Sequence, residues 1–341
     1  MSPITVTNVS LSARTGRLML TAAALLAVGG LVACSAPGEG AAGGVPEGAS
    51  EQTSGFDLTS KNIDSRPHID EVAEAVAALK GSGFTPIEAG ELTVAINGSG
   101  TPPTSFLAED DVKTMLGSDS DVGSLIAEGL GLEYAPINVA WADWPLGVES
   151  GKYDLVISNV GVTEERKDLF DFATYRDAIM GFVVGSGSDV QEISKPEDVS
   201  GLKVVVGSGT NQEAYLLDWF AQNEAAGIAP GEAVYYDDQA AGLMAITSGR
   251  ADASILPYSL AAFQAETLGE TRIVGKFNSA YPIDGQVGIA TAKGNGLAEP
   301  VSIVLNSIIA SGEYAEVLDR WGQGEEAIGE SLVNPPGLPR P

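Results

Sequence analysis

The sequence predicts an α/β protein whose body is two lobes, each an open, mostly parallel sheet with helices on both faces. Three observations carry this. The chain has 341 residues, enough for about two domains at roughly 150 residues each. Strand and helix patterns alternate in both halves. One junction occurs twice, as Ser150-Gly151-Lys152-Tyr153-Asp154 and as Ser248-Gly249-Arg250-Ala251-Asp252, each setting a glycine at a helix end just before a buried strand. Such sheets bind ligands beyond the carboxyl ends of their strands, so two lobes face to face make a cleft.

The elements follow in order. Residues 1–33 carry Arg14 and Arg17 and no acid, and the sixteen residues Leu18 to Ala33 are apolar or small. That is short of the roughly 20 residues of a membrane span and fits a secretory signal core. It ends in Leu31-Val32-Ala33-Cys34, which resembles the bacterial lipobox, where the cysteine is lipidated and becomes the mature N-terminus. Residues 34–55 hold almost no large apolar group and are expected to be a flexible tether. No later stretch reaches 18 apolar residues, so the rest is expected to be soluble and outside the cytoplasm.

Residues 56–89 read as an N-terminal extension. Ile69, Val72, Val76 and Leu79 predict a helix over 69–80, stopped by Gly81 and Gly83. His68, just before it, is expected to be solvated or capping rather than a ligand. In the first lobe Leu92–Ile96 is a strand and Asn97–Pro103 the loop after it. Residues 122–130 are helical, 132–139 extended, 145–150 a short helix and 155–158 a strand. In the second lobe 202–206 is a strand, Gly207–Thr210 a loop, 211–223 and 239–248 helices, and 253–256 a strand. Residues 286–292 form a further strand, and 297–310 and 313–321 helices. The Pro/Gly-rich tail 334–341 is expected to be loose.

Composition excludes several functions. Lys+Arg is 18 against Asp+Glu 46, a net charge of −28, and removal of residues 1–33 with their two arginines takes it to −30. A surface this acidic repels phosphate backbones and anionic lipid, so nucleic acid is excluded as a partner and the membrane is reached only through a lipid. One Cys and one His leave no disulfide within the chain, no ordinary zinc site and no metal or cofactor requirement.

Few residues carry chemistry. Ser158 ends a strand, and Thr163 can N-cap a following helix. Arg166 would then stand in the first turn, poorly placed for the helix dipole, a position that a bidentate carboxylate partner would explain. An ordinary surface arginine is the plain alternative. The loop Gly207-Ser-Gly-Thr-Asn-Gln212 lies between a strand and a helix, where free N–H groups attract anions. Gln212 stands where a dinucleotide fingerprint needs its third glycine, so a small carboxylate fits better. Trp141 and Trp144 either stack on a ligand or pack between elements. The acid pairs Glu164/Glu165 and Asp237/Asp238 read as solvated charges, and Asn97-Gly98-Ser99 as a turn.

These motifs together resemble one family. Leu92–Ile96, Asp121-Val122, Ile126–Leu132, Trp141, Ser150–Asp154, Ser158…Thr163-Glu-Glu-Arg166, Phe170-Asp-Phe172 and Tyr175 form an ordered series. Gly201-Leu-Lys-Val, Gly207–Thr210, Gly249–Ala253 and Gly312–Gly322 continue it. The series, over roughly 90–325, is similar to the family 3 extracellular solute-binding proteins, the polar amino-acid receptors of ABC importers.

The resemblance implies a type II periplasmic-binding-protein fold, with lobe 1 made of 90–180 plus 285–333, lobe 2 of 181–284, and crossings near 178–185 and 280–286. It implies that Arg166 grips the ligand's α-carboxylate. Backbone N–H groups around Gly161 and along Gly209, Thr210 and Asn211 would assist. Ser158 and Asn159 would face the ammonium, Trp141 would stack on the ligand, and Asn97 would border it. Three positions depart from the family pattern. Pro257 stands where an acid usually holds the ammonium, Asn97 where an acid often ends the first strand, and Gly100-Thr101-Pro102-Pro103 where an aromatic is usual. A basic amino acid is therefore disfavoured, and the carboxylate end is better provided for than the ammonium end. The expected function is a monomeric receptor, anchored through Cys34, that delivers a small amino acid or related carboxylate to a permease with a separate ATPase subunit. A sensor on the same fold, or an enzyme resembling the prephenate and arogenate (cyclohexadienyl) dehydratases, is the alternative.

Overall fold

The computed structural model describes residues 56–98, 102–236, 239–279 and 285–339. The segments 1–33 and 34–55 with Cys34, Ser99–Thr101 of the first loop and the pair Asp237/Asp238 lie outside these residues. The described strands are β1 (Glu91–Ile96), β2 (Phe106–Leu107), β3 (Met115–Leu116), β4 (Glu133–Asn138), β5 (Leu155–Val156), β6 (Phe170–Asp177), β7 (Ile179–Gly185), β8 (Lys203–Val206), β9 (Glu232–Tyr235), β10 (Ala253–Pro257), β11 (Thr271–Asn278) and β12 (Gln286–Ala292). The helices are α1 (Ala73–Ser82), α2 (Ser118–Gly129), α3 (Trp144–Glu149), α4 (Asn211–Ala225), α5 (Gln239–Thr247), α6 (Tyr258–Leu268), α7 (Ala298–Ser311) and α8 (Glu313–Arg320). No single described helix is long and apolar enough to cross a membrane.

Two five-stranded sheets run β4-β1-β5-β12-β6 and β11-β7-β10-β8-β9, and β2 and β3 pair on their own. Each large sheet has three parallel strands (β4, β1, β5; β9, β8, β10) and then two antiparallel pairings. The chain changes sheet at Ala178, between β6 and β7, and again between β11 and β12. All of Ile179–Gly185 belongs to the second sheet, so the lobe begins two residues before the 180/181 division read from the sequence.

The first lobe's core follows from alternation along β1. Leu92, Val94 and Ile96 face Val122, Leu125 and Ile126 of α2, while Ala95 faces Trp144, Val156 and Phe172 on the other side. A strand buried on both faces is what a helix-flanked parallel sheet requires. Each such buried aliphatic side chain contributes about 1.5–3 kcal/mol over its exposed state.

The repeated junction has a physical reason. Gly151 and Gly249 both sit at φ +70°, which a side chain would strain. The aspartate three residues on then secures the neighbouring strand. Asp154 accepts from Thr93 N (2.8 Å), Thr93 Oγ1 (2.6 Å) and Ile87 N (3.0 Å), and Asp252 accepts from Lys203 N (2.8 Å). The first carboxylate is buried and the second exposed.

Three expectations need correction. The helix predicted from 69 begins at Ala73, because Glu128 takes the preceding turn: it pairs with His68 Nδ1 (2.7 Å) and accepts from Ile69 N (3.0 Å). No α-helix follows Thr163. Arg166–Asp168 is a single 3-10 turn, although Thr163 Oγ1 does accept from Arg166 N at 3.0 Å. The dipole argument for Arg166 therefore lapses. The tail is not loose through Leu338. It runs beside β6, with Thr174 N donating to Leu332 O (3.0 Å) and Asn334 N to Phe172 O (3.0 Å), and reaches the 162–167 segment.

The contrast between the two junction aspartates is testable by urea unfolding. Asp154→Ala strands a buried hydroxyl and N–H and is expected to cost about 2–4 kcal/mol, whereas Asp252→Ala is expected to cost under about 1 kcal/mol. Equal losses would refute the account of the repeat.

Candidate functional site

A cleft between the lobes is lined by Trp141, Asn159, Gly161 and Arg166 from the first and by Thr210, Asn211 and Gln212 from the second, with Ser279 and Val287 at the crossings. Its empty space is about 350 Å³, a figure that includes the solvent of the open mouth. The residues reach it because the segments after β5 and β8 both leave the carboxyl ends of parallel strands.

Arg166 crosses the cleft. Its Nη1 donates to Gly161 O (2.8 Å) and Asn211 Oδ1 (3.3 Å), and its Nη2 to Gly209 O (3.0 Å). Its guanidinium lies 5.7 Å from the Trp141 ring centroid and 5.8 Å from that of Trp144. All these partners are neutral. Among the described residues no carboxylate stands within ion-pair distance of it. Burial pushes the guanidinium down to about 10, with the charge of nearby Glu165 acting the other way. It is still a cation at neutral pH, held among dipoles with no counter-charge at ion-pair distance among the described residues.

The tryptophans divide the two roles read for them. Trp144 is buried against Phe170 (4.9 Å between centroids), while Trp141 is partly exposed and tilts on Trp144 at 6.1 Å. Trp141 therefore presents its ring to the cleft from a packed support.

The second lobe's loop differs from the free anion seat expected of it. Thr210 caps α4 by accepting from Glu213 N (3.1 Å), and the Glu213 carboxylate accepts from Gly209 N (2.6 Å). One of the N–H groups read as available is thus already used by the chain's own acid. Asn211 instead lies on Gly161, where a Cβ would meet its Nδ2 at 1.9 Å. A glycine at 161 is what lets the two lobes touch.

Asn159 adopts φ +53°, and its Oδ1 accepts from Arg176 Nη2 at 2.9 Å. Behind it lies a buried polar chain. Arg176 also donates to Glu326 and to Asp119 (3.4 Å), and the Tyr175 hydroxyl donates to Asp119 (2.7 Å). Glu326 continues into the second lobe, accepting from Ser259 N (3.1 Å) two residues after Pro257.

Six residues expected at the site meet in the cleft: Trp141, Asn159, Gly161, Arg166, Thr210 and Asn211. Gly209 touches it through its carbonyl. Ser158 and Asn97 do not line it, because the Ser158 hydroxyl turns inward to accept from Asn97 N (2.7 Å) and Asn97 O accepts from Ser105 (3.0 Å). Gln212, Ser279, Ile179 and Val287 were not found from the sequence. Ser279 has a buried hydroxyl without a partner in the described structure, and no motif marks it, since it stands at a crossing between sheets.

The pattern of the bacterial extracellular solute-binding proteins, family 3, matches residues 92–324. The chain belongs to that family. It is 27% identical over 239 residues to the arginine-binding protein ArgT of Corynebacterium glutamicum, covering 70% of this chain and 77% of that protein. It is 29% identical over 242 residues to the L-cystine-binding protein TcyJ of Escherichia coli, covering 69% and 83%. Among solved structures, an amino acid ABC transporter substrate-binding protein of Streptococcus pneumoniae bound to L-arginine aligns with TM-score 0.59 at 26% identity, over 70% of this chain and 97% of that one. The fold is the two-lobe type II binding-protein fold, and these relatives are binding proteins.

A largely enclosed cation without a counter-ion at bonding distance costs a protein stability. The cost of carrying the charge is present in full below about pH 10 and fades only above that. Arg166→Met is therefore expected to leave the ligand-free protein as stable as wild type or up to about 2 kcal/mol more so between pH 6 and 8, read by chemical unfolding. A loss above about 2 kcal/mol would mark Arg166 as a structural residue instead.

Proposed function

We propose that the chain is a lipid-anchored, extracytoplasmic receptor that captures a small amino acid or related carboxylate between its lobes and delivers it to an ABC permease driven by a separate ATPase subunit. The observation that carries this reading is the uncompensated Arg166 guanidinium in the cleft. A carboxylate supplies the missing charge and replaces neutral acceptors with charge-assisted ones, each worth about 1.5–3 kcal/mol. Trp141 then covers the ligand's flank, and closure of the lobes excludes water from the pair. Arg166, Trp141, Asn159, Gly161, Thr210 and Asn211 are the proposed ligand shell, with Gly209 supporting it.

A zwitterion suits the electrostatics. The chain's net charge of −28 opposes a bare anion at long range, but that field is screened beyond about 8 Å, and an amino acid carries its own cation. Cys34 is the proposed lipid attachment, with residues 34–55 as the tether. The protein acts as a monomer and without turnover of its ligand.

Two experiments test this. Calorimetry on residues 35–341, freed of ligand by unfolding and refolding, would use L-arginine, L-cystine, L-glutamine, other amino acids and amine-free carboxylates. One of them is expected to bind in the micromolar range or tighter, and Arg166→Ala to weaken it about 10- to 100-fold. No binding by any, or binding untouched by the substitution, would overturn the site. For the anchor, Cys34→Ala is expected to release the protein into the culture medium. Retention at the membrane would overturn the lipid attachment.

A further inference from the structure

The family pattern ends at residue 324, and the ordered chain does not. Residues 324–338 cross the first lobe and touch the cleft's supports at both ends. At the head, the 3-10 turn Gly324–Glu326 is fixed through Glu326, which is 2% exposed and takes hydrogen bonds from both Arg176 and Ser259 N. In the middle, Ser331 N donates to Asn306 Oδ1 (2.8 Å), and Leu332 to Asn334 line β6 as an added antiparallel edge through the Ala173–Val333 pair.

The far end reaches the segment that carries Arg166. Leu338 N donates to Val162 O (3.0 Å), and Leu338 O accepts from Glu164 N (2.9 Å), which is a parallel pairing across Thr163. Gly337 N donates to Glu164 Oε1 (2.8 Å), and Lys167 Nζ to Pro335 O (2.9 Å). The approach is close enough that a Cβ at Gly337 would stand 2.6 Å from Val162 O. Arg166 itself is held from this same segment, by Thr163 Oγ1 on its N–H and by Gly161 O on its guanidinium.

We propose that residues 335–338 are a positioning clasp for the Arg166 segment: its start is already tied to β12 (Val162 N to Gln286 O, 2.9 Å; Gly288 N to Val160 O, 2.8 Å), and by pairing with Val162 O and Glu164 N residues 335–338 hold the remainder, which has only one 3-10 turn of its own, in the geometry that points Arg166 into the cleft. A loop of that kind, left free, samples many conformations, and binding must then order it. The clasp meets that ordering cost during folding. The inference rests on the reading of Arg166 as the ligand's carboxylate holder, but its first arm needs no ligand.

The test uses the full chain with residues 335–341 deleted and, as a milder probe, Gly337→Val, which wedges the clasp off Val162. The deletion leaves the edge pairing at 332–334 in place. In ligand-free protein, amide hydrogen exchange at Glu164 and its neighbours through Lys167 is expected to rise at least about tenfold in both variants, with β1 and β12 amides unchanged and the melting temperature within a few degrees of wild type. Unchanged exchange in that segment overturns the proposal. The second arm measures affinity for whichever of L-arginine, L-cystine and L-glutamine wild type binds most tightly, expected to fall about tenfold. Faster loop exchange with unchanged affinity also overturns it, by showing that the tail only seals the sheet edge. If wild type binds none of the three, the arm is run with the member of the wider amino-acid and carboxylate panel that it does bind; binding of no member is what fails the receptor reading, and the exchange arm still decides the clasp.

Discussion

A guanidinium enclosed between two lobes, faced only by neutral oxygens and aromatic rings, is the constraint on which the site depends. A side chain at Gly161 would displace the Asn211 amide, and Asn211 supplies one of the oxygens that reach Arg166. The first lobe supplies the cation, and the second supplies carbonyl and amide acceptors at Gly209 and Asn211. Neither lobe alone encloses the charge. Such an arrangement is unfavourable when empty, and on the proposed reading an entering carboxylate would relieve it.

The frame that delivers this geometry was largely legible. β1, β8, β10 and β12 are short apolar runs bounded by glycine or polar turns, and their bounds fall within a residue or two of those read from the sequence. The doubled Ser-Gly-x-x-Asp junction was legible because its cause is local: a left-handed glycine, then a carboxylate on the next strand's backbone. β6, β7 and β11 were not found as strands. β6 holds Arg176, 1% exposed, one residue from its end, and its burial is made possible by Asp119 and Glu326, distant in sequence. Periodicity cannot anticipate a charge whose partners come from elsewhere in the fold.

The same limit explains the site. Arg166, Trp141 and the glycines stood out as residue types in a pattern. The family resemblance placed Ser158 in the ligand shell, yet its hydroxyl serves the backbone of the adjacent loop. Whether a strand-end serine points forward or back depends on which neighbour has an unpaired N–H, and that is decided by register. The tail misled for a related reason. Proline and glycine lower the prospect of helix or strand, but they leave carbonyls and N–H groups free to pair along an exposed sheet edge, and β6 offered one.

Arg166 and Arg176 show how partners, rather than residue type or burial, assign a role. Both are enclosed arginines, and burial opposes the charge of each. Around Arg176, however, stand Tyr175, Glu326 and Asp119, and together they hold its protonated form above the ordinary range. Its charge is cancelled within the fold, and its hydrogen bonds join Asn159 to the C-terminal segment. Around Arg166 nothing of opposite charge is within bonding distance, and its affinity for protons falls instead. An arginine already neutralised has little to offer a ligand, whereas one that folding has enclosed without a counter-ion keeps most of its electrostatic attraction unspent. The first kind builds the wall of the cleft, and the second leaves in it the charge that the proposed carboxylate ligand would meet.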